Sequence, residues 1–421
     1  MSFLFFVAKQ NLERRSHMST SLLYHGFGLV GYQYIRTRYE NGTVIFQVRQ
    51  NPSDICCPNC RSKRFVFRGK KLRRFRSIPI GSKPVFIEFE VPRIMCLACK
   101  IIRQVKISFA EKRRTFTKAF ERYALGLSRF MTISDISKHL KTSWGMIKDI
   151  QKSYLSKKFS RPSLKQIERI AIDEISIGKG HKYLTVVLNL TTGAVIFVGE
   201  GKGSDALTPF WRRIKRIKSK IKAVAIDMSP AYIAAVMENL PKAAIVFDPF
   251  HVVKYFNDKL SDFRRSLFNL LQDHNEKQIL KGTRWLLLKN PENLNIEKGE
   301  GNRLKQALEL NKPLATAYYL KEELRQFWKQ TDKKAADVYI QQWIKTAAST
   351  KIPMLQKFAK TVAGHKFGIL NFYDHPISTG PLEGTNNKIK TLQKQAYGFR
   401  DHEFFKLKIY GLHETKYALV G

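Results

Sequence analysis

Hydrophobic and polar positions follow four successive regimes along this chain. From residue 18 to 112 the apolar residues come in short runs, such as 44–48 and 85–91, divided by turns and cysteines, which predicts strands. From 113 to 162 the spacing becomes helical. Ile133, Ile136 and Leu140 share one face, Lys141-Thr-Ser143 interrupts the pattern, and Trp144, Ile147, Ile150 and Tyr154 resume it, with Ser143 placed to cap the second helix. This is the rhythm of a helix-turn-helix, whose second helix sits in a DNA major groove, although a plain helical hairpin has the same pattern. Residues 167–260 run strand, strand, strand, helix, strand, helix, strand, with the turn Leu190-Thr-Thr-Gly193 joining the second strand to the third. Residues 261–370 are helical and charged, broken at Gly282, Asn290-Pro291 and 299–301, and a last helical segment follows Pro381. The clearest hinge is 157–163, ending in Arg161-Pro162-Ser163.

Three of the apolar runs end in an acid: Arg169-Ile-Ala-Ile-Asp173, Lys222-Ala-Val-Ala-Ile-Asp227 and Ala243-Ala-Ile-Val-Phe-Asp248. An apolar strand ending in Asp presents a carboxylate at the carboxyl edge of an α/β sheet. The element order of 167–260 is that of RNase H, in which the first and fourth strands are neighbours. Asp173 and Asp227 therefore meet in space. Two close carboxylates repel unless a divalent cation lies between them, and two such ions activate a nucleophile and stabilise a leaving oxygen on a phosphodiester. That chemistry needs a third acid. Glu383 is favoured, in the first turn of a helix opened by Gly-Pro within Thr379-Gly-Pro-Leu-Glu383-Gly-Thr-Asn-Asn387; Asp374 and Glu403 are other acids of the region. Asn387 falls on the face of Glu383, and Lys388, Lys390 and Lys394 follow, placed to track a DNA backbone. Any one of these acids alone would pass for an ordinary strand-end or helix-start charge.

Cys57-Pro-Asn-Cys60 and Cys96-Leu-Ala-Cys99 are two CxxC pairs, 35 residues apart. Four thiolates on two tight turns suit a tetrahedral structural Zn2+, with a sheet between to carry both knuckles. Cys56 is a spare that could replace Cys57. Between the pairs lie Arg68, Lys70, Lys71, Arg73, Arg74 and Arg76, expected to bind phosphate; Lys148 and Lys152 on the second helix of the helix-turn-helix are expected to face DNA.

Composition makes the partner explicit. Among 421 residues, 43% hydrophobic, 75 Lys and Arg stand against 34 acids, a formal charge of +41. There are ten basic residues and no acid between Arg61 and Ile87, and seven more basic residues in 212–222. Such an excess repels itself unless a polyanion neutralises it, and nucleic acid is the natural one; the alternatives are a ribosomal or membrane-surface protein. No apolar run approaches the roughly 20 residues of a membrane span. The apolar patch at 3–8 lacks a preceding basic region, so it is a poor signal peptide, and the functional start is expected at Met18, with 1–17 a non-native or disordered extension. The cysteine pattern is not that of a secreted disulfide scaffold, so the chain reads as intracellular.

These features together resemble the ISL3 family of bacterial insertion-sequence transposases. The resemblance runs over 18–415. It rests on the cysteine module with Phe109-Ala-Glu-Lys112, the helix-turn-helix, Ala171-Ile-Asp-Glu174, Ala225-Ile-Asp-Met-Ser229, Asp248-Pro-Phe-His251 and 379–387; the family's start also matches Met18-Ser-Thr-Ser-Leu-Leu-Tyr24. It implies an α+β multidomain DDE transposase. A zinc-binding N-terminal DNA-binding domain (18–112) and a helix-turn-helix (113–162) would precede an RNase H-like core (167–260), a helical insertion (261–370) and a C-terminal helical part carrying the third acid (371–421). The triad maps to Asp173, Asp227 and Glu383, holding two Mg2+ or Mn2+ ions. Asp248 and His251 are either active-site support or, equally, a helix cap and a structural histidine. Implied partners are double-stranded DNA, both transposon ends and target, and a second copy of the chain in a homodimer or larger assembly, with no membrane. Implied location is the bacterial cytoplasm, associated with the nucleoid. The rival expectations are a nuclease or resolvase that cuts without joining, and a zinc-dependent DNA-binding regulator.

Overall fold

The gap between the two cysteine pairs is a long β-hairpin. The computed structural model describes residues 22–178, 180, 182–217 and 220–413; the expected extension at 1–17 and the start at Met18 lie outside them. The described residues divide into two units, one of 22–158 with 395–399 and one of 159–394 with 400–413.

In the first unit, β1 (Tyr32–Glu40) and β2 (Thr43–Gln50) pair antiparallel, and β2 runs parallel to β4. The hairpin is β3 (Phe65–Ile80) with β4 (Lys83–Cys96), turned at Gly81, whose φ of +57° a side chain would resist. A short β5 (Ile102–Gln104) adds to the far end of β4. Along β4, Val85, Ile87, Phe89 and Val91 alternate into the core. There Phe109 meets Tyr32 and Phe75 edge-on, with ring centroids 4.9 and 5.2 Å away.

Three helices follow: α1 (Lys118–Leu127), α2 (Ile133–His139) and α3 (Trp144–Phe159). Thr132 caps α2, accepting from the Asp135 N–H at 3.1 Å, and Ser143 accepts from Met146 N–H at 3.2 Å as the sequence predicts. Between them Lys141 takes a positive φ of 49°. Ile133, Ile136, Leu140, Ile147 and Ile150 are all buried. Arg76, expected among the phosphate binders, is instead buried, and its Nη2 donates to the Leu140 carbonyl at 2.7 Å. That carbonyl ends α2 and has no partner within the helix, so the guanidinium satisfies it and ties the helices to β3.

The second unit contains a five-stranded sheet in the order β10-β9-β6-β7-β8. Its strands are β6 (Arg169–Gly178), β7 (Lys182–Asn189), β8 (Val195–Glu200), β9 (Ala223–Ile226) and β10 (Ala244–Phe247). β6, β7 and β8 are antiparallel neighbours, while β6, β9 and β10 are parallel, so the first and fourth strands lie side by side. β6 does not end at Asp173. Its pairing with β9 stops at Ala171↔Ala225, but β7 carries it on to Gly178. Helices α4 (Thr208–Ile217) and α5 (Pro230–Asn239) follow β8 and β9.

From β10 the chain enters a helical excursion: α6 (Pro249–Leu270), α7 (His274–Leu280), α8 (Arg284–Leu288), α9 (Glu300–Leu310), α10 (Lys312–Gln326), α11 (Lys333–Ser349) and α12 (Pro353–Leu370). Gly282 and Gly299, both at positive φ, stand at the expected breaks. Within the excursion Lys321 is buried, donating to the carbonyls of Leu287 at 2.7 Å and Lys289 at 3.3 Å. α12 returns to the sheet, where Gly368 lies against the Phe247 ring and Asn371 Nδ2 donates to the Ile245 carbonyl at 2.9 Å. One apolar core runs without a break from Leu164 to Leu370. Two helices close the unit, α13 (Gly380–Gln395) and α14 (His402–Gly411), the latter fixed to β8 through Tyr410 Oη, which accepts from Val198 N–H at 3.0 Å. No helix among the described residues is long and apolar enough to cross a membrane.

Candidate active site and metal centre

The hairpin register pairs Phe65 with Cys96, so the strand leaving the first CxxC begins beside the second. Each pair sits in a tight turn closed by a residue at positive φ, Arg61 and Lys100. Leu97 N–H donates to the Arg64 carbonyl at 2.9 Å and joins the two knuckles. The ligand atoms of Cys57, Cys60, Cys96 and Cys99 all lie within 4.8 Å of one another; Cys57 Sγ is 3.7 Å from Cys99 Sγ, and Cys60 Sγ is 3.5 Å from Cys96 Sγ. Sulfurs about 2.3 Å from a tetrahedral zinc stand roughly 3.8 Å apart, so the set fits that ion. Cys56 is not part of the cluster. The Cys99 N–H draws the Cys96 thiol down to about 6, and the Cys60 N–H lowers Cys57. Cys60 moves the other way, to about 12: the Ser62 N–H lowers it, but hydrogen bonding to Cys96, burial and hydrogen bonding to the other sulfurs raise it more.

The acids meet at the carboxyl edge of the second unit's sheet. Ala171, Ala225 and Val246 are aligned across the three parallel strands. Two residues beyond each come Asp173, Asp227 and Asp248, and the two-residue period sends all three to the same side. Burial pushes the Asp173 carboxyl up to about 6; the Glu174 N–H and the charge of His251 pull it down, and the charges of Asp227 and Glu174 add to the rise. Asp173 Oδ1 accepts from Glu174 N–H at 2.7 Å, and its Oδ2 from Asn386 Nδ2 at 2.9 Å. Asp227 Oδ1 accepts from Ser229 N–H at 3.0 Å, ahead of Pro230, which starts α5. A half-buried, proton-favouring carboxylate paired with a second across one strand spacing suits a divalent cation.

Glu383 stands exposed in the first turn of α13, one turn before Asn386. Among the described residues, the four cysteines are the only group of three or more His, Cys, Asp or Glu whose ligand atoms all fall within 4.8 Å, so Asp173, Asp227 and Glu383 do not close on one point. Asp248 is buried and does two things. Its Oδ1 caps α6 by accepting from Phe250 N–H at 2.8 Å; its Oδ2 accepts from Thr379 N–H at 2.8 Å and from the Thr379 hydroxyl. Residue 379 precedes the helix that carries Glu383, so Asp248 fastens that helix to the end of β10. His251, half-buried one turn into α6, bears on Asp173 through its charge.

Asn387, expected beside Glu383, is exposed; the contact to Asp173 comes from Asn386. The buried face of α13 is Leu382, Asn386, Ile389 and Leu392, and Gln393 fixes its end to the Ile177 carbonyl, so position 387 turns outward. Asn386 was not singled out from the sequence; a lone polar residue in an otherwise apolar helical stripe is the signal that could have found it. Tyr232 was also missed. Its buried hydroxyl joins Glu174 Oε2, Thr185 Oγ1 and Gly203 N–H, each at 3.3 Å, on the side of β6 opposite Asp173.

Of the basic residues expected to meet DNA, Arg68, Lys70 and Lys71 are exposed on β3, as are Lys388 and Lys390 on α13. Lys70 is 2.5 Å from Glu90, Arg74 pairs with the buried Glu88 at 3.1 Å, and Arg73 donates to the Arg114 carbonyl at 2.8 Å, so these three also serve the unit itself. Lys148 and Lys152 are half-buried along α3, with the Lys148 ammonium 5.6 Å from the Trp144 ring.

Known proteins match over the same segments. Residues 170–409 match a transposase family of the ISL3 group, 53–99 the zinc-finger of transposase IS204/IS1001/IS1096/IS1165, and 105–155 the helix-turn-helix domain of transposase family ISL3. The transposase for insertion sequence element IS1001 of Bordetella parapertussis is 31% identical over 87% of this chain and 91% of its own. The transposase for insertion sequence element IS1557 of Mycobacterium tuberculosis is 28% identical over 86% of each chain. Among solved structures, the Drosophila P element transposase strand transfer complex aligns with 73% of this chain and 94% of its own, at 10% identity and a TM-score of 0.37. With its zinc-finger, helix-turn-helix and third segment all matched in order, the chain belongs to the ISL3 family and is the transposase of an insertion sequence.

Proposed function

We propose that this transposase works by metal-dependent phosphoryl transfer in an RNase H-like core, with Asp173, Asp227 and Glu383 as the cation-binding triad. The observation that carries the reading is the equal offset of Asp173 and Asp227, each two residues beyond the paired Ala171 and Ala225 of adjacent parallel strands, with the start of the Glu383 helix fastened to Asp248. When bound, two Mg2+ or Mn2+ ions would polarise the scissile phosphate and offset the charge that develops on it. The protein's share is positioning. Asp173 is held by two hydrogen bonds, Asp227 by its turn into α5, and Glu383 by its helix. Hydrolysis at a transposon end frees a 3′-hydroxyl, which then attacks a target phosphodiester; no covalent protein–DNA intermediate is required. His251, whose charge bears on Asp173, would support the acids, and the exposed Asn387 would face DNA.

Cys57, Cys60, Cys96 and Cys99 are proposed to hold a structural Zn2+. The hairpin residues Arg68, Lys70, Lys71, Arg73 and Arg74, with Lys148 and Lys152 on α3, would recognise transposon ends, while Lys388 and Lys390 would line the path of DNA past the acids. Joining two ends calls for at least a dimer, acting on DNA in the bacterial cytoplasm. The test is a strand-transfer assay with Mg2+ and paired transposon ends. The parent should cut and join; Asp173→Ala should lose both by at least a thousandfold while keeping its affinity for ends. Cutting without joining would favour a nuclease or resolvase, and activity surviving in Asp173→Ala would remove the triad.

A further inference from the structure

The buried stripe of α13 runs Leu382, Asn386, Ile389, Leu392, and three of its four members are apolar. Asn386 is 6% exposed, where an apolar side chain would pack without unmet hydrogen bonds. Half of its amide is accounted for, since Nδ2 donates to Asp173 Oδ2 at 2.9 Å. The other half is not: Oδ1 is shut away from solvent and has no hydrogen-bond partner among the described residues. A buried carbonyl oxygen left unpaired beside a half-buried carboxylate needs a partner that arrives from outside the chain. The helix itself is fixed at both ends, by Asp248 on Thr379 and by Gln393 on Ile177, so Asn386 cannot easily withdraw.

We propose that Asn386 belongs to the divalent-cation site, orienting the Asp173 carboxylate through its amide N–H and offering its own carbonyl oxygen to the ion as a fourth protein oxygen. Hard divalent cations take neutral amide oxygens alongside carboxylates. The chemistry of the donor set fits: Asp173, Asp227 and Glu383 supply charge, and Asn386 supplies a ligand oxygen without adding a further negative charge. The inference rests on the reading of Asp173 as a cation ligand.

The experiment is Mn2+ titration of the zinc-loaded full chain without DNA, following free Mn2+ by electron paramagnetic resonance. The parent should show a saturable site that Asp173→Asn abolishes. Asn386→Leu and Asn386→Ala should weaken that site by about tenfold or more. Thermal unfolding and end binding in Mn2+-free buffer report whether each variant folds; should the leucine variant not fold, the alanine variant decides. Mn2+ binding by Asn386→Ala as tight as the parent's, with Asp173→Asn inactive in binding, overturns the role of Asn386 and leaves the cation reading standing. A site that survives Asp173→Asn overturns the cation reading, and this inference with it.

Discussion

At the scale of single residues, burial favours the protonated form of Asp173. Its carboxyl titrates at about 6 in the fold against about 3.9 in an unfolded chain. A raised folded value means that the fold prefers the protonated form. The stability this contributes is complete below about pH 4 and lost as pH rises through about 6. In Mg2+-free buffer at pH 7.5 the fold therefore carries an unfavourable buried charge. Asp173→Asn removes it, so the variant should melt higher than the parent at pH 7.5, with the difference closing towards pH 4. A melting temperature at or below the parent's at pH 7.5 would contradict the burial argument. Asp173 and Asp227 were legible because each ends an apolar run that only a buried strand explains. Asn386 was not, because its burial depends on which face of α13 meets β6, and that is decided by contacts at Ile177 and Thr379 far away in the chain.

At the scale of elements, the tightest junction is α12 on β10. A Cβ added at Gly368 would stand 2.5 Å from the Phe247 ring, whereas one added at Gly364, a turn earlier in the same helix, would meet nothing within 4 Å. Gly368→Ala should therefore lower the unfolding free energy by about 1–3 kcal/mol, and Gly364→Ala should raise it by up to about 1 kcal/mol, both read by urea denaturation. Equal effects would mean that α12 does not bear on the sheet as described. The helix-turn-helix was readable down to its Ser143 cap because local chemistry decides it. The hairpin was readable only as a carrier of two knuckles. Residues 66–72 of β3 are exposed along their whole length, so no alternation of apolar and polar positions announces a strand there. Its length comes instead from pairing with β4.

For the whole molecule, the two units depend on different things. The first has a modest apolar core centred on Phe109 and four clustered cysteines, while the second has the continuous core from Leu164 to Leu370. Cys60→Ser should cost at least about tenfold in affinity for transposon ends, and Cys56→Ser should change it little, measured by fluorescence anisotropy at fixed salt. A loss in Cys56→Ser equal to that in Cys60→Ser would redraw the metal centre. The sequence order of the second unit was legible at the level of strands and helices. The return of α12 to the sheet was not, because nothing local to 353–370 names β10 as its partner. The Asp248–Thr379 contact has a further consequence for how such a chain can change. It brings the two ends of the helical excursion to one hydrogen-bonded point, while the helices between share the core of the sheet. Exposed connections of that excursion, such as 296–298, can be lengthened while Asp248 keeps its hold on the start of α13.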